Sequence, residues 1–99
     1  MRPIHIAHLD KARPVLVLTR ELVLPHRQQV TVAPITTTVR GLSTEVPVGP
    51  ANGLGHESVV SCDNIVTIDQ NALGERIGYL LLTQEALLTT AIHAAFDLE

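Results

Sequence analysis

Hydrophobic and polar residues alternate through much of this chain, and the alternation predicts short strands. In PIHIAHL (residues 3–9), Ile4 and Ile6 face one way and His5 and Ala7 the other, the period-two pattern of a half-buried strand. A tight link, DKA, leads to PVLVLT (14–19), a continuous apolar run that suits a central strand covered on both faces. RELVLPH (20–26) predicts one helical turn stopped before Pro25. QVTVAPI (29–35) is β-branched and alternating, and Pro34 cannot donate to a ladder, so a bulge or an edge is expected there. The chain stays extended through TTTVRGLSTEVPV, with a turn at Gly41. GPANGLGH (49–56) is a loop by composition. SVVSCDNIVTI (58–68) predicts a further strand with polar residues in its middle, and NALGERIGYLL predicts a turn at Gly74 and a last short strand.

The period then changes. From Thr83 the apolar residues Leu87, Leu88, Ala91, Ile92 and Ala95 recur at helical spacing. Thr83 is the expected N-cap, and Glu85 stands in the first turn, where the helix dipole favours an acid. Residues 1–99 therefore read as a single domain, mainly β with helices: a small, strongly bent sheet or partly open barrel plugged by a C-terminal helix. The stripe at Leu87, Leu88 and Ile92 reads as core or dimer contact, with core favoured.

Composition narrows the class. No apolar run approaches the roughly 20 residues that span a bilayer, and MRPIHIAHLD places His5, His8 and Asp10 where a signal peptide needs its apolar segment. One cysteine, Cys62, rules out an intrachain disulfide. These features predict a soluble cytoplasmic protein, with Cys62 a small buried residue. The net charge is −3, which argues against a generally basic polyanion binder. Its distribution argues the other way: residues 1–40 sum to +4 and residues 41–99 to −7. Such asymmetry marks a local site for a polyanion. With Tyr79 and Phe96 the only aromatic side chains, nucleic acid would have to be held through phosphates, hydrogen bonds and aliphatic contacts rather than stacking.

Two polar residues stand at strand ends. Arg13 opens the second strand and Thr36 closes the third. If these strands are antiparallel neighbours, a guanidinium and a hydroxyl share one edge of the sheet. An arginine fork suits the non-bridging oxygens of a phosphodiester, and a hydroxyl adds a donor where charge builds in the transition state. Thr37, Thr38 and Arg40 prolong the same polar edge. His5 and His8 are three apart on a strand and face opposite ways, and with no HxH or CxxC spacing the chain predicts no metal site.

The ordered set RPVLVLT, VTVAPITTTVRG, STEVPV, SVVSCDNIVTID, LGERIGYL and a terminal helix resembles the MazF/PemK toxins of toxin–antitoxin modules, from about Arg2 to Leu98. The resemblance implies an SH3-like small barrel, a homodimer, no cofactor, and metal-independent, sequence-specific cleavage of single-stranded RNA, which inhibits translation and growth. It also implies an antitoxin of the MazE type whose tail covers the RNA groove. Arg13 matches the family's catalytic arginine and Thr36 its catalytic threonine or serine. Asp63 matches an aspartate that some members use in catalysis, although Ser61 stands where those members carry an arginine. The general base is left to Asp63 or His26, since arginine stays protonated. Lys11, Arg20, Arg27, Thr37, Thr38 and Arg40 are the further RNA-binding candidates. The chain departs from the family in its short DKA link, where members carry a longer Gly-rich loop, and in lacking the first strand's aromatics. The alternative is a CcdB-type gyrase-binding toxin on the same fold. Those toxins end in Trp-Gly-Ile, whereas this chain ends AAFDLE and keeps Arg13 and Thr36.

Overall fold

The run Val15–Leu16–Val17 is buried on both sides, as a continuous apolar strand requires. In the computed structural model, which describes residues 1–98, this run forms the second half of β2 (Ala12–Val17), between β1 (Pro3–His8) and β3 (Gln29–Thr36). Leu16 packs into one apolar cluster with Ile4, Val60, Leu80 and Leu88. Val15 and Val17 pack into a second with Ala7, Val30 and Val32. β1 is likewise an inner strand, with Ile4 in one cluster and Ala7 in the other, so the half-buried reading of its alternation gives way to burial on both faces.

The remaining elements are β4 (Glu45–Val48), β5 (Ser58–Ser61), β6 (Val66–Asp69), β7 (Leu73–Tyr79) and α1 (Leu82–Ala95). All pairings are antiparallel, in the order β4-β5-β3-β2-β1-β7, with β6 also on β3. β3 is the pivot of the curl. Its first half, Gln29–Val32, pairs with β6, and its last two residues, Ile35 and Thr36, pair with β5. Pro34, which has no N–H to give, stands between these two partners. The gap between the β6 and β5 pairings, spanned on the partner side by the 3-10 turn Cys62–Asn64, accommodates the proline, which still pairs with Val15 of β2.

Four expectations are corrected. Residues 58–68 form two strands, because Cys62–Asn64 makes a single 3-10 turn. Its polar side chains serve that turn: Asn64 Nδ2 donates to Ser61 Oγ at 2.8 Å. Gly74 lies inside β7 rather than in a turn, and the His8 ring fills the space a Cβ would take there. The helix starts one residue before Thr83, with Leu81 N–H donating to Gln84 Oε1 at 2.8 Å. Leu88 and Ala91 are buried and Ile92 half-buried beneath the helix, but Leu87 is exposed.

The segment read as a plain loop holds a structural node. Asn52, in the 3-10 turn Pro50–Asn52, is buried, and its Nδ2 donates to Tyr79 O at 2.9 Å and Gln84 Oε1 at 2.7 Å. Its Oδ1 accepts Gly49 N–H at 3.0 Å. One carboxamide thereby ties the β4–β5 connection to the end of β7 and the first turn of α1.

Candidate active site

β2 and β3 pair with Val15 opposite Pro34, Leu16 opposite Ala33 and Val17 opposite Val32. Arg13 and Thr36 each stand two residues beyond the Val15–Pro34 pair, and both line one groove. Alternation puts both on the sheet face that carries Val15, Val17, Val30 and Val32, beyond the end of that core cluster. The ladder to β2 stops at Val15–Pro34, and beyond it Ile35 and Thr36 are bonded to β5. The two strands part there, and a groove of about 1030 Å³ opens between them. It is lined by Arg13, Pro14, Pro34, Ile35 and Thr36, by the loop after β3 and by residues of the 3-10 turn after β5.

Of the residues singled out from the sequence, Lys11, Arg13, Thr36, Thr37, Thr38, Arg40 and Asp63 all line this groove. Arg20, His26 and Arg27 do not. They lie in the connection from β2 to β3, at the other end of both strands. Six residues of strand separate Arg13 from Thr19, roughly 20 Å at about 3.3 Å per residue. Arg20 faces a separate cleft of about 210 Å³, beside Arg2, Glu21 and Glu85. Proximity in sequence and a shared charge grouped these residues, and antiparallel pairing separates them.

The groove's cations are not engaged by acids of the protein. Among the described residues, the ion pair within 4.0 Å is Arg2 with Glu85, at 3.5 Å. Lys11, Arg13 and Arg40 are exposed. The two carboxylates of the groove are instead held by neutral donors. Thr44 Oγ1 donates to Asp63 Oδ2 at 2.6 Å. The Glu45 carboxylate accepts the backbone N–H groups of Arg40 and Leu42 at 3.2 and 3.1 Å. The groove wall thus presents three free guanidinium or ammonium groups and two partly satisfied carboxylates.

Thr36 is half-buried, and its Oγ1 accepts the Thr38 N–H at 3.1 Å in a local side-chain turn. With a lone pair committed to the backbone, the hydroxyl hydrogen is left to donate elsewhere. Burial pushes the Cys62 thiol above its ordinary 9.0, and the neighbouring Asp63 charge adds to the shift. Buried and protonated, it is no nucleophile. Glu45, Ser58, Leu42 and Asn64 also line the groove and were not singled out from the sequence, and Ser61, noted there only as a departure from the family, lines it too. An acid just after a glycine turn and small polar residues at strand ends are ordinary surface patterns, so no local signal marks them.

The profile of the family described as PemK-like, MazF-like toxin of type II toxin-antitoxin system matches residues 3–96. The chain belongs to this family. It is 69% identical, over 99 residues, to endoribonuclease MazF3 of Mycobacterium tuberculosis, covering all of this chain and 96% of that one. Its fold superposes on the solved structure of the M. tuberculosis toxin MazF-mt6 with a TM-score of 0.97 at 68% identity, over 99% of each chain. It also matches a mycobacterial endoribonuclease solved in complex with its cognate antitoxin, with a TM-score of 0.87 at 28% identity, over 98% of this chain and 93% of that one. The bent sheet closed by a C-terminal helix is the fold of these MazF toxins, and the match is to them rather than to the CcdB-type alternative. No helix among the described residues is long and apolar enough to cross a membrane.

Proposed function

We propose that this chain is a toxin–antitoxin endoribonuclease that cuts single-stranded RNA at short sequences in the groove between β2 and β3. The observation that supports this reading is that Arg13 and Thr36, each two residues beyond the last β2–β3 pair, line one groove whose cations form no ion pair with its acids. Family membership and 69% identity to an endoribonuclease support it.

RNA carries its own nucleophile. The 2′-oxygen attacks the adjacent phosphorus, the bond to the 5′-oxygen breaks, and the products are a 2′,3′-cyclic phosphate and a 5′-hydroxyl. Arg13 offers a planar fork of donors to the non-bridging oxygens as negative charge builds on them. Thr36, its oxygen held by the Thr38 amide, donates its hydroxyl hydrogen to one of those oxygens. Lys11, Arg40, Thr37 and Thr38 hold the flanking phosphates and sugars. The nucleophile's proton goes to a base. Of the two candidates, Asp63 lines the groove and His26 does not, which favours Asp63. Because the nucleophile comes with the substrate, DNA is not cut.

The same groove, rich in free cations, suits an acidic antitoxin tail, and RNA and antitoxin compete for Arg13. A homodimer in the cytoplasm completes the reading.

The test is cleavage of a long single-stranded RNA in EDTA, with the new ends mapped. Cyclic phosphates and 5′-hydroxyls at a recurrent short sequence are expected. Arg13→Ala should lose about 10²–10³-fold in rate while keeping its melting temperature, the usual cost of removing a charge-stabilising donor. An Arg13→Ala protein that cuts like the parent would refute the assignment.

A further inference from the structure

Glu45 is an anomaly in a groove for a polyanion. Its carboxylate lines the wall beside Arg40, yet it neutralises neither Arg40 nor Arg13 nor Lys11 across an ion pair. A like charge near the phosphates weakens their attraction. Something must offset that cost.

The offset lies in the loop 37–44, which joins β3 to β4. Its residues are exposed except Thr44, and no strand pairs with them. The loop nonetheless carries Thr37, Thr38 and Arg40, three of the groove's donors. It turns at Gly41, whose φ of 72° lies in the left-handed region. At its start it is pinned by Thr38 N–H on Thr36 Oγ1. At its end the pin is Glu45. Glu45 Oε1 accepts the N–H of Arg40 at 3.2 Å and of Leu42 at 3.1 Å, and Oε2 lies 3.4 Å from Arg40 N. Glu45 N–H donates back to Leu42 O at 3.1 Å. Backbone N–H groups converging around a left-handed glycine form a concavity that favours an anion. Here the anion is the protein's own.

We propose that Glu45 is a positioning residue for RNA binding: its carboxylate holds the Arg40–Leu42 backbone, so that the loop presents Arg40, Thr37 and Thr38 to the phosphates flanking the cleaved bond. Glu45 touches no reacting atom and acts through the loop. This inference rests on the nuclease reading of the groove.

Kinetics and amide exchange on the full chain test it together. Glu45→Ala should raise KM for single-stranded RNA about tenfold with kcat within about threefold, since binding groups rather than transition-state groups are displaced. Glu45→Gln, whose single carbonyl oxygen can take both N–H groups, should restore KM to within about threefold of the parent. On an Arg40→Ala background, Glu45→Ala should add less than about twofold, because its effect passes through a loop whose cation is already gone. Amide exchange at Arg40 and Leu42 should quicken in Glu45→Ala and not in Glu45→Gln, with Val32 in the core unchanged in both. A Glu45→Ala protein with unaltered or lowered KM would overturn the inference, the latter showing the carboxylate to be a repulsive plug. So would a Glu45→Gln protein as impaired as Glu45→Ala, or exchange at Arg40 and Leu42 that ignores the substitution. A parent that cuts no RNA would instead remove the nuclease reading, while the exchange data would still report on the loop.

Discussion

At the residue scale, the question posed by an arginine at the mouth of an apolar strand is answered by what stands across from it. Arg13 continues a face whose inner positions, Val15 and Val17, are buried, and Thr36 continues the same face from β3. A planar fork and a point charge do different work here. Arg13→Lys should keep the charge yet lose at least about tenfold in cleavage rate, since an ammonium cannot bond two phosphoryl oxygens in parallel. At Thr36 the reading predicts that serine retains most activity, whereas valine, equal in shape but without the hydroxyl, loses about as much as alanine. His26→Ala should stay within about twofold of the parent in kcat, because the imidazole lies at the far end of the strands. Cys62 should resist thiol reagents in the native protein. The raised thiol value gives its pH dependence: the folded state holds the proton more tightly than the unfolded chain. The stability this represents is intact below about 9.0 and is lost as pH rises through the folded-state value.

At the element scale, β3 serves three partners. Its ladder to β2 ends at Pro34 while its last two residues stay bonded to β5, and the candidate groove opens at that end of β2 and β3. The clasp around Asn52 holds β5's side of that arrangement against β7 and α1. Gly53, with φ of 87°, and Gly78 approach so closely that a Cβ on either would strike backbone carbonyl of the other segment. Gly78→Ala should therefore cost at least about 2 kcal/mol, a fall of roughly 8 °C or more in Tm by calorimetry.

Much of this was legible in the residues themselves. The unbroken apolar run 15–18 announced a strand covered on both faces, and Arg13 and Thr36 were visible as polar residues at strand ends. The change of period at the C-terminus announced the helix. What could not be read depends on pairing at a distance. Which end of β2 meets which end of β3 decides that Arg40 joins Arg13 and that Arg20 and Arg27 do not, and charge alone carries no such information. The split of 58–68 was hidden because Ser61, Asp63 and Asn64 suit the polar face of a strand as well as a turn. Glu45 and Asn52 matter through hydrogen bonds to backbone atoms brought close by the fold, which no local pattern records.

At the scale of the whole molecule, a chain of net charge −3 carries three of its exposed cations in one groove. The groove holds Lys11, Arg13 and Arg40 against Glu45 and Asp63. The affinity for single-stranded RNA should thus fall with salt, with a log–log slope near −2 for three phosphate contacts at about −0.7 each. Arg40→Ala should lower the slope by about 0.7, measured by fluorescence anisotropy on a 2′-deoxy-blocked oligonucleotide.

The central claim is that Arg13 and Thr36 act on one phosphate. A double-substitution cycle on single-turnover RNA cleavage in EDTA tests it most directly, using Arg13→Ala, Thr36→Ala and the pair. If both groups hold the same phosphoryl oxygens, the second loss costs far less than it does alone, and the double variant is slower than Arg13→Ala by no more than about threefold. Two losses that multiply in full would mean that the two side chains work independently, and would contradict the account.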